Sequence, residues 1–485
     1  MKNRTKAMLL PFLRDSAGVN TSATACGIRL DISRQRLSAD DFKRLLELAE
    51  SKGLLDAFKR MVQGEVVNAS EGRAALHTSL RSWNPRAPHY EEVARERERM
   101  LNFATMVRDG RWRGCRGDRI TDVINIGIGG SEMGPHAVWH ALPPAKADIH
   151  LHFLSSVDGV LLERILAQCN PRSTLVVVSS KSFTTRETQV NSAAVDQWLL
   201  DNGIVGADRA KHMVVVSANP HAADVMCLPA QNFFHLWDWV GGRFSVWSAI
   251  GLPLAIGLGA ETFREFLQGA NEMDRHAFNT PVEENLPALL ALMAYWNATR
   301  LEITSHCMLP YDERLRVTVP WLQQLEMESL GKTVTPEGER IPGHTGLSVW
   351  GSNGNEAQHS FYQWLREGTG RTSIDIVWSE MPGHRYAEHY RVLLANARAQ
   401  AEALVMRDPA SPYFNAVSTI VFDAVTPRRL GAFMAMYEHK TTMLGSLFGI
   451  NPFDQPGVEL GKRLSKRAEA GGDPARILRE EADRQ

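Results

Sequence analysis

The chain has 485 residues, 44% hydrophobic and 22% charged, with a formal net charge of -1. That is the composition of an ordinary globular protein with length enough for two or three cores, and its near-neutral balance excludes bulk attraction to nucleic acid or an anionic membrane. The five cysteines (Cys26, Cys115, Cys169, Cys227, Cys307) show no zinc-site or redox spacing, and with no signal peptide or bilayer-spanning run the expected address is cytoplasmic.

In chain order, residues 1 to about 38 show no clear periodicity. From Ala39 to about Val62, Leu45, Leu46, Leu48, Leu54, Leu55 and Phe58 recur at helical spacing, and a second helix is predicted from Glu91 to Val107. Short apolar runs then alternate with helical ones. Strands are predicted at Asp122 to Ile128, Ile149 to Leu154, Thr174 to Val178 and His212 to Val216, with helices at Val157 to Ala167 and Thr188 to Leu200. A second series follows: helices at Ala260 to His276, Leu286 to Leu301, Gln358 to Leu365, Tyr386 to Met406 and Arg428 to Leu447, and strands at Leu347 to Trp350, Ile374 to Val377 and Thr419 to Phe422. Such alternation predicts an α/β fold with parallel sheets covered on both faces. The reading is a partly helical segment 1–82, α/β domains 83–262 and 263–455 joined around 262–285, and a C-terminal helix and arm 456–485. A terminal helix is predicted near Ala475 to Ala482.

Five stretches carry candidate chemistry. After Pro320, a helix would set Gln324 and Glu328 on one face. Flanked by Leu325, Met327 and Leu330, the Glu328 carboxylate is expected to lose hydration, which suits a general base. The ordinary alternative is that Glu326 and Glu328 solvate an amphipathic helix. The loop Ile126-Gly127-Ile128-Gly129-Gly130-Ser131-Glu132 follows a strand and can turn its amides to an anion. It is no dinucleotide fingerprint, because Glu132 stands where glycine is needed and the next strand ends Leu154-Ser155-Ser156 without an acid. The loop Ser179-Ser180-Lys181-Ser182-Phe183-Thr184-Thr185 supplies hydroxyl donors at a helix start, and two such loops in succession favour a phosphate monoester over a simple cap.

In Trp239-Val240-Gly241-Gly242-Arg243, two glycines let the backbone approach a ligand and aim the guanidinium at an oxyanion. His359 follows a strand and the loop Gly351 to Ala357, although a lone histidine is more often structural. Asp454 could cap a helix with Pro456 in its first turn, placing Gln455 and Lys462 on one face.

Together these stretches resemble the glucose-6-phosphate isomerase (phosphoglucose isomerase) family, from Val66-Val67-Asn68 and Arg73-Ala74-Ala75-Leu76-His77-Thr78 to Lys462. The most specific pieces are Trp239 to Ser245, Met327-Glu328-Ser329, Gln358-His359-Ser360-Phe361 and Gly457-Val458-Glu459-Leu460-Gly461-Lys462. The resemblance implies two sugar-isomerase domains, each a parallel sheet between helices. It further implies a homodimer whose site takes its histidine from the neighbouring subunit, a sugar-phosphate substrate, no cofactor and no metal. By position, Glu328 matches the base moving a proton between C1 and C2, and His359 and Lys462 match the groups that open the sugar ring. Glu187 matches the carboxylate orienting that histidine, and Arg243 the arginine beside the enediolate. Gly130, Ser131, Ser180, Lys181, Ser182 and Thr185 match the phosphate cradle, and Gln324 and Gln455 amides near the substrate.

Departures are Ser182 in place of threonine, Gly354-Asn355-Glu356-Ala357 before His359, Pro456 in place of an aromatic residue, and a shorter N-terminal segment. The expected reaction interconverts glucose 6-phosphate and fructose 6-phosphate. Alternatives are an isomerase for another aldose phosphate and a non-catalytic sugar-phosphate sensor; the sensor would need the phosphate loops but not Glu328, His359 and Lys462 together.

Overall fold

The computed structural model describes residues 10–144, 148–406, 414–473 and 476; of the helix predicted near Ala475 to Ala482, all but Arg476 lies outside them. The strands are β1 (Ser22–Ala25), β2 (Ile28–Arg34), β3 (Asp122–Ile126), β4 (His150–Leu154), β5 (Thr174–Ser179), β6 (Met213–Ser217), β7 (Phe233–His235), β8 (Ser305–Pro310), β9 (Ser348–Gly351), β10 (Thr372–Ser379) and β11 (Asn415–Phe422). They form two sheets. The first has the order β4-β3-β5-β6-β7 and is parallel throughout. Every residue of β3, β5 and β6 is buried, as expected where helices cover both faces and the strands are rich in Val and Ile.

The second sheet has the order β1-β2-β11-β10-β8-β9. Its β9-β8-β10-β11 portion is parallel. The N-terminal hairpin β1-β2, in a region without readable periodicity, adds antiparallel strands to its edge at β11. That hairpin turns at Cys26-Gly27, and a Cβ on Gly27 would lie 1.9 Å from Arg429 Nε.

The helical run predicted from Ala39 is two helices, Ala39–Ser51 and Leu54–Gln63. Ser38 opens the first by accepting from the Asp41 amide, and Gly53, at φ +59°, breaks the run. The expected junction around 262–285 is largely occupied by one continuous helix, Ala260–Asn279. It packs backbone to backbone on Pro427–Phe448: a Cβ on Gly431 would lie 2.0 Å from the Phe266 carbonyl oxygen. Between these helices, the fully buried Arg81 donates to Asp274 at 2.7 Å and Glu438 at 2.6 Å. Removing one partner would strand a buried charge at a cost of about 3–5 kcal/mol. The N-terminal segment is thereby fastened to the core. Among the described residues, no helix is long and apolar enough to cross a membrane.

Candidate active site

The site is assembled from the loops leaving the C-terminal ends of the first sheet, where open α/β sheets bind ligands. Asn125, on β3, links the first two loops: its Nδ2 donates to the Ser131 carbonyl at 3.1 Å, and its Oδ1 accepts from Ser179 Oγ at 3.2 Å. The glycines of the first loop allow two close approaches. A Cβ on Gly130 would lie 2.0 Å from the Gly242 carbonyl oxygen, and one on Gly129, at φ +59°, would lie 3.0 Å from Gln324 Nε2. Gly130 therefore backs onto the arginine loop, and Gln324 closes over Gly129.

The second loop is shaped by its own hydroxyls. Ser180 Oγ accepts from the Phe183 amide at 3.2 Å, and Ser182 Oγ and Thr184 Oγ1 are 2.8 Å apart. Phe183 takes a left-handed conformation at φ +57°. Thr185 then stands at the N-cap position of the helix Arg186–Asp201 without a side-chain cap bond, and the helix's first-turn amides lack intrahelical acceptors and carry the positive end of the helix dipole. Lys181 Nζ donates to the Asp238 carbonyl at 2.7 Å and the Val240 carbonyl at 2.9 Å. Its ammonium thus clamps the second loop to the arginine loop, a task that spacing along the chain did not suggest. Burial lowers its pKa, and the positive charge of Arg73 adds to that.

Arg243 is buried, and its guanidinium is held from several sides. Nε donates to Ser329 Oγ at 2.6 Å, Nη1 to Gln455 Oε1 at 2.9 Å, and Nη2 to the carbonyls of Pro452 and Asp454 at 2.6 and 3.1 Å. Glu328 Oε1 lies 3.4 Å from Nη1. Burial lowers the guanidinium's pKa, and the nearby Glu328 and Asp454 oppose that shift. The group remains a fixed cation, pre-aimed beside a carboxylate.

Gln324 and Glu328 lie in one π-helical turn, Gln324–Glu328. The desolvation expected for Glu328 is not what the structure shows. Its side chain is 24% exposed and Met327 is 43% exposed, so apolar neighbours in sequence do not enclose the carboxylate. The buried acid of this turn is Glu326, 2% exposed and paired with Lys440 at 2.7 Å. The sequence reading expected Glu328 to be the desolvated acid and offered joint solvation of Glu326 and Glu328 as the ordinary alternative; the turn instead buries Glu326 against Lys440 and leaves Glu328 partly exposed beside Arg243.

The reading of Asp454 as a helix cap is also corrected. Asp454 accepts from Ser70 Oγ and Asn451 Nδ2 and lies 3.3 Å from Lys332 Nζ. Lys332 in turn donates to the carbonyls of Glu328, Ser329 and Asp454. Ser329, Lys332 and Asp454 were missed as site-building residues; Ser329 and Lys332 stand within five residues of Glu328, which was the available signal. Gln455 precedes a separate turn, Pro456–Val458, and the helix Glu459–Glu469 begins after it, so Gln455 and Lys462 do not share a helix face. Lys462 pairs with Glu459 at 2.8 Å, its side chain 64% exposed. Its helix nonetheless ends at Glu469, which pairs at 2.8 Å with Arg186, the neighbour of Glu187.

Among the described residues, no side-chain hydrogen bond or ion pair joins His359 to these residues. The helix predicted from Gln358 starts at Tyr362, leaving His359 exposed on the preceding turn, with no side-chain hydrogen bond among the described residues. Asn353 accepts from the amides of Asn355 and Glu356, and Glu356 pairs with Arg316. The acid before His359 is thus paired with Arg316. Glu187 sits half-buried in the first turn of Arg186–Asp201, next to the second loop.

The model of the phosphoglucose isomerase family matches residues 31–411 and 414–480. A glucose-6-phosphate isomerase of Burkholderia ambifaria (strain MC40-6) is 44% identical over 464 residues, 92% of this chain and 86% of that protein. One of Paraburkholderia xenovorans (strain LB400) is 42% identical over the same shares. The crystal structure of a glucose-6-phosphate isomerase from Chlamydia trachomatis D/UW-3/Cx superposes with a TM-score of 0.86 at 29% identity, covering 100% of this chain and 98% of that one. With both sheets, the glycine loops and the Arg243–Glu328 pair in place, the chain belongs to the phosphoglucose isomerase family.

Proposed function

We infer that the chain interconverts D-glucose 6-phosphate and D-fructose 6-phosphate through a cis-enediol. The observation that carries the chemistry is the Arg243–Glu328 pair: a carboxylate 3.4 Å from a buried, multiply anchored cation. An aldose–ketose exchange needs one group to remove the C2 proton and return it at C1, and a fixed positive charge where the enediolate oxygen develops. Glu328 takes the first role and Arg243 the second. The phosphate rests on the amides and hydroxyls of Gly130, Ser131, Ser180, Ser182 and Thr185 at the start of Arg186–Asp201, with Lys181 bracing that loop. Gln324 and Gln455 flank the sugar. His359 and Lys462 open and close the ring, with Glu187 orienting the imidazole.

The exposure of His359, apart from the Arg243–Glu328 pair, supports a homodimer in which a second copy of the chain supplies it across the interface. Substitution Glu328→Gln tests the assignment. It is expected to lower kcat by about 10²–10⁴-fold with the circular dichroism spectrum unchanged, and near-normal turnover would remove Glu328 from the role. Run in deuterated water, the wild-type reaction is expected to place solvent label at C1 or C2; its complete absence would mean direct hydride migration.

A further inference from the structure

At the opposite end of the first sheet, the starts of the strands bring together three metal-ligating side chains that the reaction does not use. Asp122, His152 and Cys169 place a carboxylate oxygen, an imidazole nitrogen and a thiol sulfur all within 4.8 Å of one another. We propose that this cluster is a binding site for a borderline-soft divalent transition cation of the zinc class, pinning the edge strand β4 to β3 and to the loop before β5.

The cluster follows from sheet register. β3 and β4 are parallel with Asp122 opposite His150 and Ile124 opposite His152. Side chains two apart share a strand face, so His152 leans back towards Asp122, and its Nε2 lies 3.0 Å from Oδ1. The other carboxylate oxygen accepts from Thr121 Oγ1 at 2.8 Å, which fixes the plane of the group. Cys169 enters from the turn that ends the Gly159–Leu166 connection, just before β5.

Two further observations point to a cation. Asp122 is buried, yet among the described residues no lysine or arginine pairs with it; its partners are an imidazole and a hydroxyl. The donor set is also mixed oxygen, nitrogen and sulfur, which suits Zn²⁺ and its spectroscopic substitute Co²⁺ rather than Mg²⁺ or Ca²⁺. Tetrahedral coordination at zinc bond lengths needs donor separations of roughly 3.3–3.8 Å. The cluster reaches them by side-chain rotation of about 1 Å at its widest pair. A water would take the fourth position. The oxyanion chemistry lies across the sheet, so the cation is structural with respect to the isomerase reaction.

The experiment is titration of chelator-stripped protein with CoCl₂ alone, followed by displacement with ZnCl₂. One equivalent per chain is expected, with a sulfur-to-cobalt charge-transfer band in the near ultraviolet that Cys169→Ser abolishes. Thr121→Val, which frees the carboxylate plane, is expected to weaken binding about 10-fold or more. A wild-type protein without the band, or a band that survives Cys169→Ser and so belongs to another cysteine, overturns the proposal. Should Cys169→Ser fail to fold, thermal denaturation with and without ZnCl₂ decides. Zinc is expected to raise the Tm of wild type and not of His152→Gln; equal shifts in both overturn it.

Discussion

The two sheets are built on the same strand–helix principle, yet they contribute to the site in different ways. The loops of the first sheet are wired together within one chain. Lys181 is tied to the arginine loop, Gly130 lies against Gly242, and Arg243 reaches Ser329, Gln455 and two carbonyls. The second sheet is fenced at one edge by the antiparallel hairpin β1-β2, and after its β9 it offers His359 to solvent. The lesson concerns preorganisation. Groups that bind phosphate and stabilise charge must be fixed before the substrate arrives, and buried hydrogen bonds fix them. In the proposed homodimer the His359 imidazole would be delivered by an interface, which is a rigid surface of its own.

The sharpest way to break this comparison is to mix variants. His359→Ala alone is expected to lose about 10²-fold or more in kcat, as does Glu328→Gln. Random exchange of subunits between the two would leave about a quarter of sites with both groups intact, because half of the dimers are mixed and each holds one complete site. Recovery to that level is read in a coupled turnover assay. No recovery on mixing would place both groups in one chain's site.

The wiring of the first sheet is tested next. Arg243→Lys cannot reproduce a forked guanidinium reaching a hydroxyl, an amide and two carbonyls. A fall in kcat of about 10²–10³-fold, exceeding the rise in KM, is expected from lost oxyanion stabilisation. A change confined to KM would make Arg243 a ground-state binder. Gly130→Ala would drive a Cβ into the Gly242 carbonyl oxygen, 2.0 Å away, and push the phosphate loop from Arg243. We expect kcat/KM to fall about 10-fold or more, since small misplacements of reacting groups are costly. Unchanged kinetics would show that the two loops move together.

The smallest effect concerns the core beneath both sheets. His276, on the helix Ala260–Asn279, accepts from the Leu286 amide through Nε2. Burial, with the nearby His439 adding to it, lowers its pKa from 6.5 to about 4. The unfolded chain therefore takes up this proton first, so the contribution is present above pH 6.5 and is lost as pH falls towards 4. His276→Gln is expected to flatten that segment of a pH series of urea midpoints, and an equal slope in the variant would contradict it.

Much of the first sheet was legible because its strands are fully buried, and full burial on both faces leaves a plain Val/Ile signature. The hairpin β1-β2 was not, since its pattern of buried, intermediate and exposed residues is set by pairing with β11, nearly 400 residues away. Glycine loops at strand ends were readable as tight turns because backbone geometry is local. The separate fates of Glu326 and Glu328 were not readable, because Lys440 and Arg243 approach from distant helices and loops. Asp122, His152 and Cys169 show the same limit: they lie 30 and 17 positions apart, outside any ligand spacing.

By itself the sequence determined the alternation of elements, the glycine and hydroxyl loops at the strand ends and, through the resemblance, the family. These rest on neighbours along the chain, where periodicity and turn chemistry act. Only the tertiary structure decided which carboxylate faces Arg243, that Lys181 braces a loop, and that His359 stands apart at the surface. Burial and charge pairing are properties of the groups that meet in space, and the packing of two sheets around shared helices chooses those groups.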